Sequence, residues 1–165
     1  MALADQVLFA LTLVALLGSG LMAGAFFAFS TFVMRALSRL PAGEGIAAMQ
    51  AINVAVINPL FLGAFLGTGA LSVAAIAAAW MRWGKPGTAY LLAGGILYLL
   101  GTFFVTVLCN VPLNNSLAAV APADPEGARH WVNYVSRWTA WNHVRTAAAL
   151  LAACSFAMAF RHLME

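Results

Sequence analysis

Residues 138–161 read WTAWNHVRTAAALLAACSFAMAFR, and the spacing of the two arginines in this stretch decides the fold. Residues 146–160 separate Arg145 from Arg161 and cover roughly 22 Å at 1.5 Å per residue. A bilayer's hydrocarbon core is about 30 Å thick. A helix that crosses it here must start near Trp138, so Arg145 falls inside the membrane or at its very edge. An intramembrane arginine is rare and marks a functional site by default, although a long side chain can snorkel towards water.

The rest of the chain makes such a crossing the expected environment. Of its 165 residues 64% are hydrophobic and 8% charged, with a mean hydropathy of +0.92. Soluble domains carry roughly 25% charged residues, so the polar surface is too small for a water-soluble monomer. The net charge of +3 is too small and scattered for a nucleic-acid footprint. Cys109 and Cys154 form no C-x-x-C pair, which argues against a thiol relay or a zinc knuckle.

Gaps between charges place the other spans. No charge intervenes between Asp5 and Arg35, and the basic flank of a signal peptide is missing, so this run reads as a retained first helix. The gap from Glu44 to Arg82 is too long for one straight crossing. Asn58 is a good N-cap and Pro59 a good first helical position, which divides the gap into a short interfacial helix (Ile46 to Ile57) and a second span. One long helix kinked at Pro59 is the alternative. Lys85, Pro86 and Gly87 form a turn, and Pro112 bends or ends the third helix. The stretch from Ala121 to Arg129 reads as solvated, and a short helix around His130 to Arg137 leads into the last span.

The expected fold is all-α, an integral membrane four-helix bundle in a single domain, residues 1–165. Its helices fall at about 6–34, 59–82, 88–110 and 138–161, with a short interfacial helix between helices one and two and another between three and four. The small-xxx-small pairs Gly20/Gly24 and Gly63/Gly67 are expected to pack helix one closely on helix two, with a dimerisation face as the alternative.

Four crossings gather unusual chemistry at one pole: Arg35, Arg39, Asn53, Asn58, Asn110, Asn114, Asn115, Trp138, Trp141, Asn142, His143 and Arg145. Tyr98, Thr102, Thr106, Asn110 and Asn114 recur every four residues and share one face of helix three, which must turn away from lipid. The bland reading has the threonines bonding back to their own helix and the asparagines capping frayed ends. Trp138, Trp141, Asn142 and Arg145 share one side of helix four, and the tryptophans also fit a plain interfacial belt. Thr139, His143 and Thr146 lie on a neighbouring side; Arg145 and the asparagines can tune that histidine.

A metal site fits poorly, because no carboxylate lies in an expected span and one histidine cannot supply a ligand set. No cofactor is called for, with a haem on His143 or a bound quinone left open. No phosphate loop, Ser-His-Asp set or DNA-binding motif is present. Both cysteines read as small apolar packing residues.

Asn58-Pro59, Asn110-Val-Pro-Leu-Asn114 and Trp138-Thr-Ala-Trp-Asn-His-Val-Arg145, with the Phe-rich run from Phe26 to Arg35, resemble the anthrone oxygenase-like family of small four-helix membrane proteins. Many of its members are classed only as a domain of unknown function. The resemblance implies oxidation of a lipophilic anthrone or (hydro)quinone by molecular oxygen, as the fungal members named as oxygenases do. Such chemistry needs a base, donors for an oxyanion and flat apolar walls. In that scheme His143 is the base, and Arg145 with Asn142, Asn110 or Asn114 holds the anion. Asn53, Asn58, Thr106, Tyr98, Trp138, Trp141, Phe29 and Arg35 complete the substrate site.

Two other readings use the same residues. One is a binder or carrier of a lipid-soluble ligand; the other is a structural subunit with an open, flat pole that docks a partner. The expected partners are the bilayer and a lipophilic small molecule, with no nucleic acid and homo-oligomerisation left open. The expected location is multi-pass in a bacterial inner membrane. Counting loop arginines leaves the orientation tied if some of them serve the site.

Overall fold

The computed structural model describes residues 3–164, which form helices joined by short turns, with no strand among them. Helix α1 runs Leu3–Leu37, α3 Pro59–Met81, α4 Thr88–Ala118 and α5 Gly127–Met164, and each is long and apolar enough to cross a membrane. A shorter helix, α2, spans Ala42–Ala55 between the first two. The chain is a multi-pass membrane protein.

The four long helices form a closed ring in which α1 packs on α5 and α3, and α4 bridges α3 and α5. Small and aromatic side chains fill the axis: Met22, Tyr98, Ala149, Ala152 and Phe156 are fully or almost fully buried. At the far end Asp5 pairs with Arg82 at 2.7 Å in a partly exposed bridge, of a kind that adds little to stability. At the near end α2 folds over α5 and the end of α4, enclosing Met34, Ile46, Met49, Leu117, Trp131 and Tyr134.

The break between α2 and α3 has a local cause. Asn58 is extended (φ −131°), and its Oδ1 accepts from the amides of Leu60 at 3.1 Å and Phe61 at 3.0 Å, while Pro59 opens the helix. The gap is therefore two helices and not one kinked rod.

Three expectations are corrected. The segment around His130 to Arg137 is no separate short helix but the first turns of α5, because no Gly or Pro after Gly127 interrupts it. Pro112 does not end α4. The wide π-turn Thr106–Asn110 precedes it, the Val111 amide bonding back to Thr106 O, and the proline falls in the first turn of the α-helical stretch that follows, so its missing N–H costs little. A Cβ on Gly20, Gly24, Gly63 or Gly67 would meet nothing within 4 Å, so these glycines do not set helix approach.

Other glycines do. A Cβ on Gly18 would strike Thr68 of α3, and one on Gly95 would lie 2.6 Å from the Ile76 side chain and 2.8 Å from the Ser72 carbonyl. Cys154 is exposed and Cys109 half-buried, so only the latter contributes to packing. Gly95→Leu should lower thermal stability in detergent by about 1–3 kcal/mol through overpacking, whereas Gly63→Leu should stay within about 0.5 kcal/mol of wild type. Equal melting temperatures for the two variants would contradict this account of the α3–α4 contact.

Candidate functional site

The buried guanidinium of Arg145 organises the polar pole. Arg145 is only 4% exposed. Its Nη2 donates to Asn142 Oδ1 at 2.6 Å and its Nη1 to Thr106 Oγ1 at 3.2 Å. The Phe26 and Trp138 rings lie 4.3 and 5.0 Å from its central carbon, both at cation–π range. Among the described residues no carboxylate pairs with it, and its Nε has no partner. A cation held by neutral groups alone keeps most of its field, which an anionic ligand can use.

Each partner is itself fixed. Asn142 is fully buried, and its Nδ2 donates to the Phe26 carbonyl and to Ser30 Oγ, each at 2.7 Å. This leaves Oδ1 as the only amide atom free to face the cation. Ser30 in turn meets Thr146 Oγ1 at 3.0 Å. Thr106 donates to Thr102 O at 2.7 Å, so its lone pairs remain for Arg145. Asn110, also fully buried, donates to the Trp138 carbonyl at 3.2 Å and leaves Oδ1 unpartnered. Asn114 Oδ1 accepts from Tyr134 Oη at 2.9 Å and Trp138 Nε1 at 2.8 Å, which locks the indole. Thr106 and Asn110 are the first and last residues of one π-turn, and Phe29 opens another in α1. Such wide turns recur where helices carry function.

These groups face a chamber of about 560 Å³, within the usual range for small-molecule sites. Phe26, Phe29, Phe61, Phe65 and Trp138 supply aromatic walls; Arg145, Thr106, Asn110, Asn114 and Asn53 supply the polar ones. Phe29 meets Trp138 at 5.6 Å between ring centres. Helix α2 covers one side, tied to the end of α4 by Gln50 Nε2, which donates to the Leu117 and Val120 carbonyls at 2.9 Å each. Beside it Val54 and Ile57 line the chamber yet are 73% and 69% exposed, so the opening is aliphatic. A chamber of this form is not the flat pole that a purely docking subunit requires.

The structure brings Arg145, Asn142, Thr106, Asn110, Asn114, Asn53, Trp138 and Phe29 together, with Asn142 behind the guanidinium. It does not bring in the others. His143 is exposed on the outer side of α5 and lines, with Arg35, a separate groove against α1. The next residue on a helix turns about 100°, so the side chain after Asn142 leaves the chamber. Trp141 faces outward, 39% exposed. Asn58 is the α3 cap, and Tyr98 is core, donating to the Phe65 carbonyl at 3.0 Å. Sequence reading missed Phe26, Gln50 and Tyr134. Gln50 precedes Asn53 by three residues and Tyr134 precedes Trp138 by four, so helical spacing from known members held the signal. Among the described residues no three His, Cys, Asp or Glu side chains converge to hold a metal ion.

A family model described as anthrone oxygenase matches residues 57–155. The chain belongs to the anthrone oxygenase family. The matched part contains α3, α4 and the chamber-facing stretch of α5, including Thr106, Asn110, Asn114, Trp138, Asn142 and Arg145. No curated protein and no solved structure matches the chain. Within this anthrone oxygenase family chain, Asn142 and Arg145 should be energetically coupled. A double-mutant cycle of Asn142→Ala and Arg145→Met, followed by thermal unfolding, should give about 1–3 kcal/mol of interaction; additivity within about 0.5 kcal/mol would contradict it.

Proposed function

We propose that the chamber takes a flat, lipophilic aromatic of the anthrone or hydroquinone type from the bilayer and promotes its oxidation by molecular oxygen. The observation that carries this reading is Arg145, a buried cation with no carboxylate partner among the described residues, facing an aromatic-walled cavity. Family membership supports the same chemistry. The aliphatic opening at Val54 and Ile57 suits a ligand arriving sideways from lipid.

The reaction balances without a further reactant. An anthrone loses a proton from the methylene across the central ring from its carbonyl, and the resulting enolate oxygen rests against the guanidinium. A unit charge about 4 Å away contributes about 4 kcal/mol at an effective dielectric of 20, roughly a thousandfold in the ionisation constant. The enolate then reduces oxygen, a C–O bond forms, and protonation gives a hydroperoxide. Loss of the remaining hydrogen on that carbon breaks the O–O bond and releases water, leaving the quinone carbonyl. Trp138 and Phe29 hold the rings, and Asn110 Oδ1 accepts from a substrate hydroxyl.

His143 does not serve as base in this scheme, because its imidazole lies in the outer groove. The chamber lining holds no carboxylate or imidazole, so the proton leaves to water at the exposed Asn115 end. The same feature favours a second reading, a binder that holds such a ligand unchanged. Oxygen uptake by the purified protein with anthrone separates the two. Arg145→Gln should lower kcat/KM by about 10²–10³, the usual loss for one oxyanion donor, and His143→Ala should stay within about threefold. No uptake above the protein-free rate, with anthrone recovered intact from the protein, would leave the binder. Loss of activity in His143→Ala alone would move the chemistry out of the chamber.

A further inference from the structure

We propose that the outer groove between α1 and α5 is a binding site for one anionic phospholipid, separate from the chamber. The groove is lined by Arg35, Thr31 and Ser38 from α1 and by Ser136, Thr139 and His143 from α5. Arg35 is exposed and has no ion pair among the described residues, and Thr139 Oγ1 is buried without a partner. Arg35 is the first charge after Asp5 along α1, which sets it at headgroup depth, where lipid phosphates lie. The Ser30–Thr146 contact fixes the antiparallel register: His143 sits about 3 Å deeper than Arg35, towards the ester carbonyls, and Thr139 about 3 Å further out, at the level of the phosphate, so the N–H of one and the O–H of the other can donate to the lipid.

The same outer face continues towards the bilayer centre as a track of small residues. Gly20, Gly24 and Thr31 follow Arg35 down α1 at intervals of four and seven, and Ala140 and Ala147 flank His143 on α5. All of these are exposed, and no atom lies within 4 Å of a Cβ built on Gly20 or Gly24. An acyl chain fits such a track while its phosphate meets Arg35.

Charge decides between a lipid and a second copy of this chain. A two-fold dimer would place this patch against itself, arginine and histidine facing arginine and histidine. No acidic residue lines the groove to relieve that. An anionic headgroup is complementary; the protein's own surface is not.

Native mass spectrometry of the full-length chain in mild detergent tests this, with phosphatidylglycerol and phosphatidylcholine of identical acyl chains as probes. Wild type should hold one phosphatidylglycerol at least tenfold tighter than phosphatidylcholine. Arg35→Gln should reduce that preference about fivefold, the share of one arginine at a headgroup. Gly24→Leu should weaken both lipids alike, since it fills the track and leaves the charge. Equal binding of the two lipids by wild type, or an unchanged preference in Arg35→Gln, would overturn the proposal. So would a dimer abolished by Gly24→Leu, which assigns the face to a second copy. Neither variant touches the chamber, and binding is read without turnover, so failure here leaves the oxygenase reading standing.

Discussion

A guanidinium buried among neutral groups constrains everything around it. Moving such a charge out of water costs several kcal/mol even after relaxation, and no carboxylate among the described residues repays it. Compensation is spread over an amide oxygen, a hydroxyl and two ring faces contributed by three helices. Asn142 joins α5 to α1 through the Phe26 carbonyl, and Thr106 joins it to α4. Holding the cation therefore fixes the relative height of three spans, and the bundle's register is in part an electrostatic result.

That arrangement separates support from contact. Asn142, Ser30 and Thr102 are spent on orienting other side chains, while Asn110 Oδ1 and Arg145 Nε are left without partners beside the cavity. Fully buried polar atoms without partners are uncommon and costly. Here the two are of opposite type, an acceptor and a donor, and a ligand carrying a hydroxyl beside an anionic oxygen satisfies both. The aliphatic opening under α2 makes the same ligand reachable from lipid.

Much of this was legible in the sequence because the membrane imposes lengths. Charge-free runs located the spans, and the short interval from Arg145 to Arg161 placed Arg145 inside the membrane or at its very edge. Asn58-Pro59 announced its cap. What escaped has physical reasons. The π-turns that admit Pro112 and present Thr106 and Asn110 carry no sequence signature. The helix around His130 to Arg137 was legible, but its continuity with the last span was not, because polar first turns end the hydropathy signal where the helix runs on. His143 shared a motif with Asn142 and Arg145 yet faces the other way, since adjacent helical positions diverge. Gly20 and Gly24 have a packing motif's spacing on an outward face, and only neighbouring atoms reveal that.

The division of the chamber between matched and unmatched sequence bears on how it works. The cation, its hydroxyl partner and the amides of α4 and α5 all fall within residues 57–155, while Phe26, Phe29, Gln50 and Asn53 lie outside. A preorganised charge accelerates ionisation of any acidic substrate whose oxygen reaches it, because its dipoles need no rearrangement when charge develops. Aromatic and aliphatic walls discriminate by shape, at only about 1–3 kcal/mol for each methylene misplaced. In the proposed reaction the electrostatic half, on α4 and α5, can stay fixed while the walls from α1, α2 and α3 set which ring system reaches Arg145. Selectivity in that proposed reaction draws on the walls of the first three helices and chemistry on the last two.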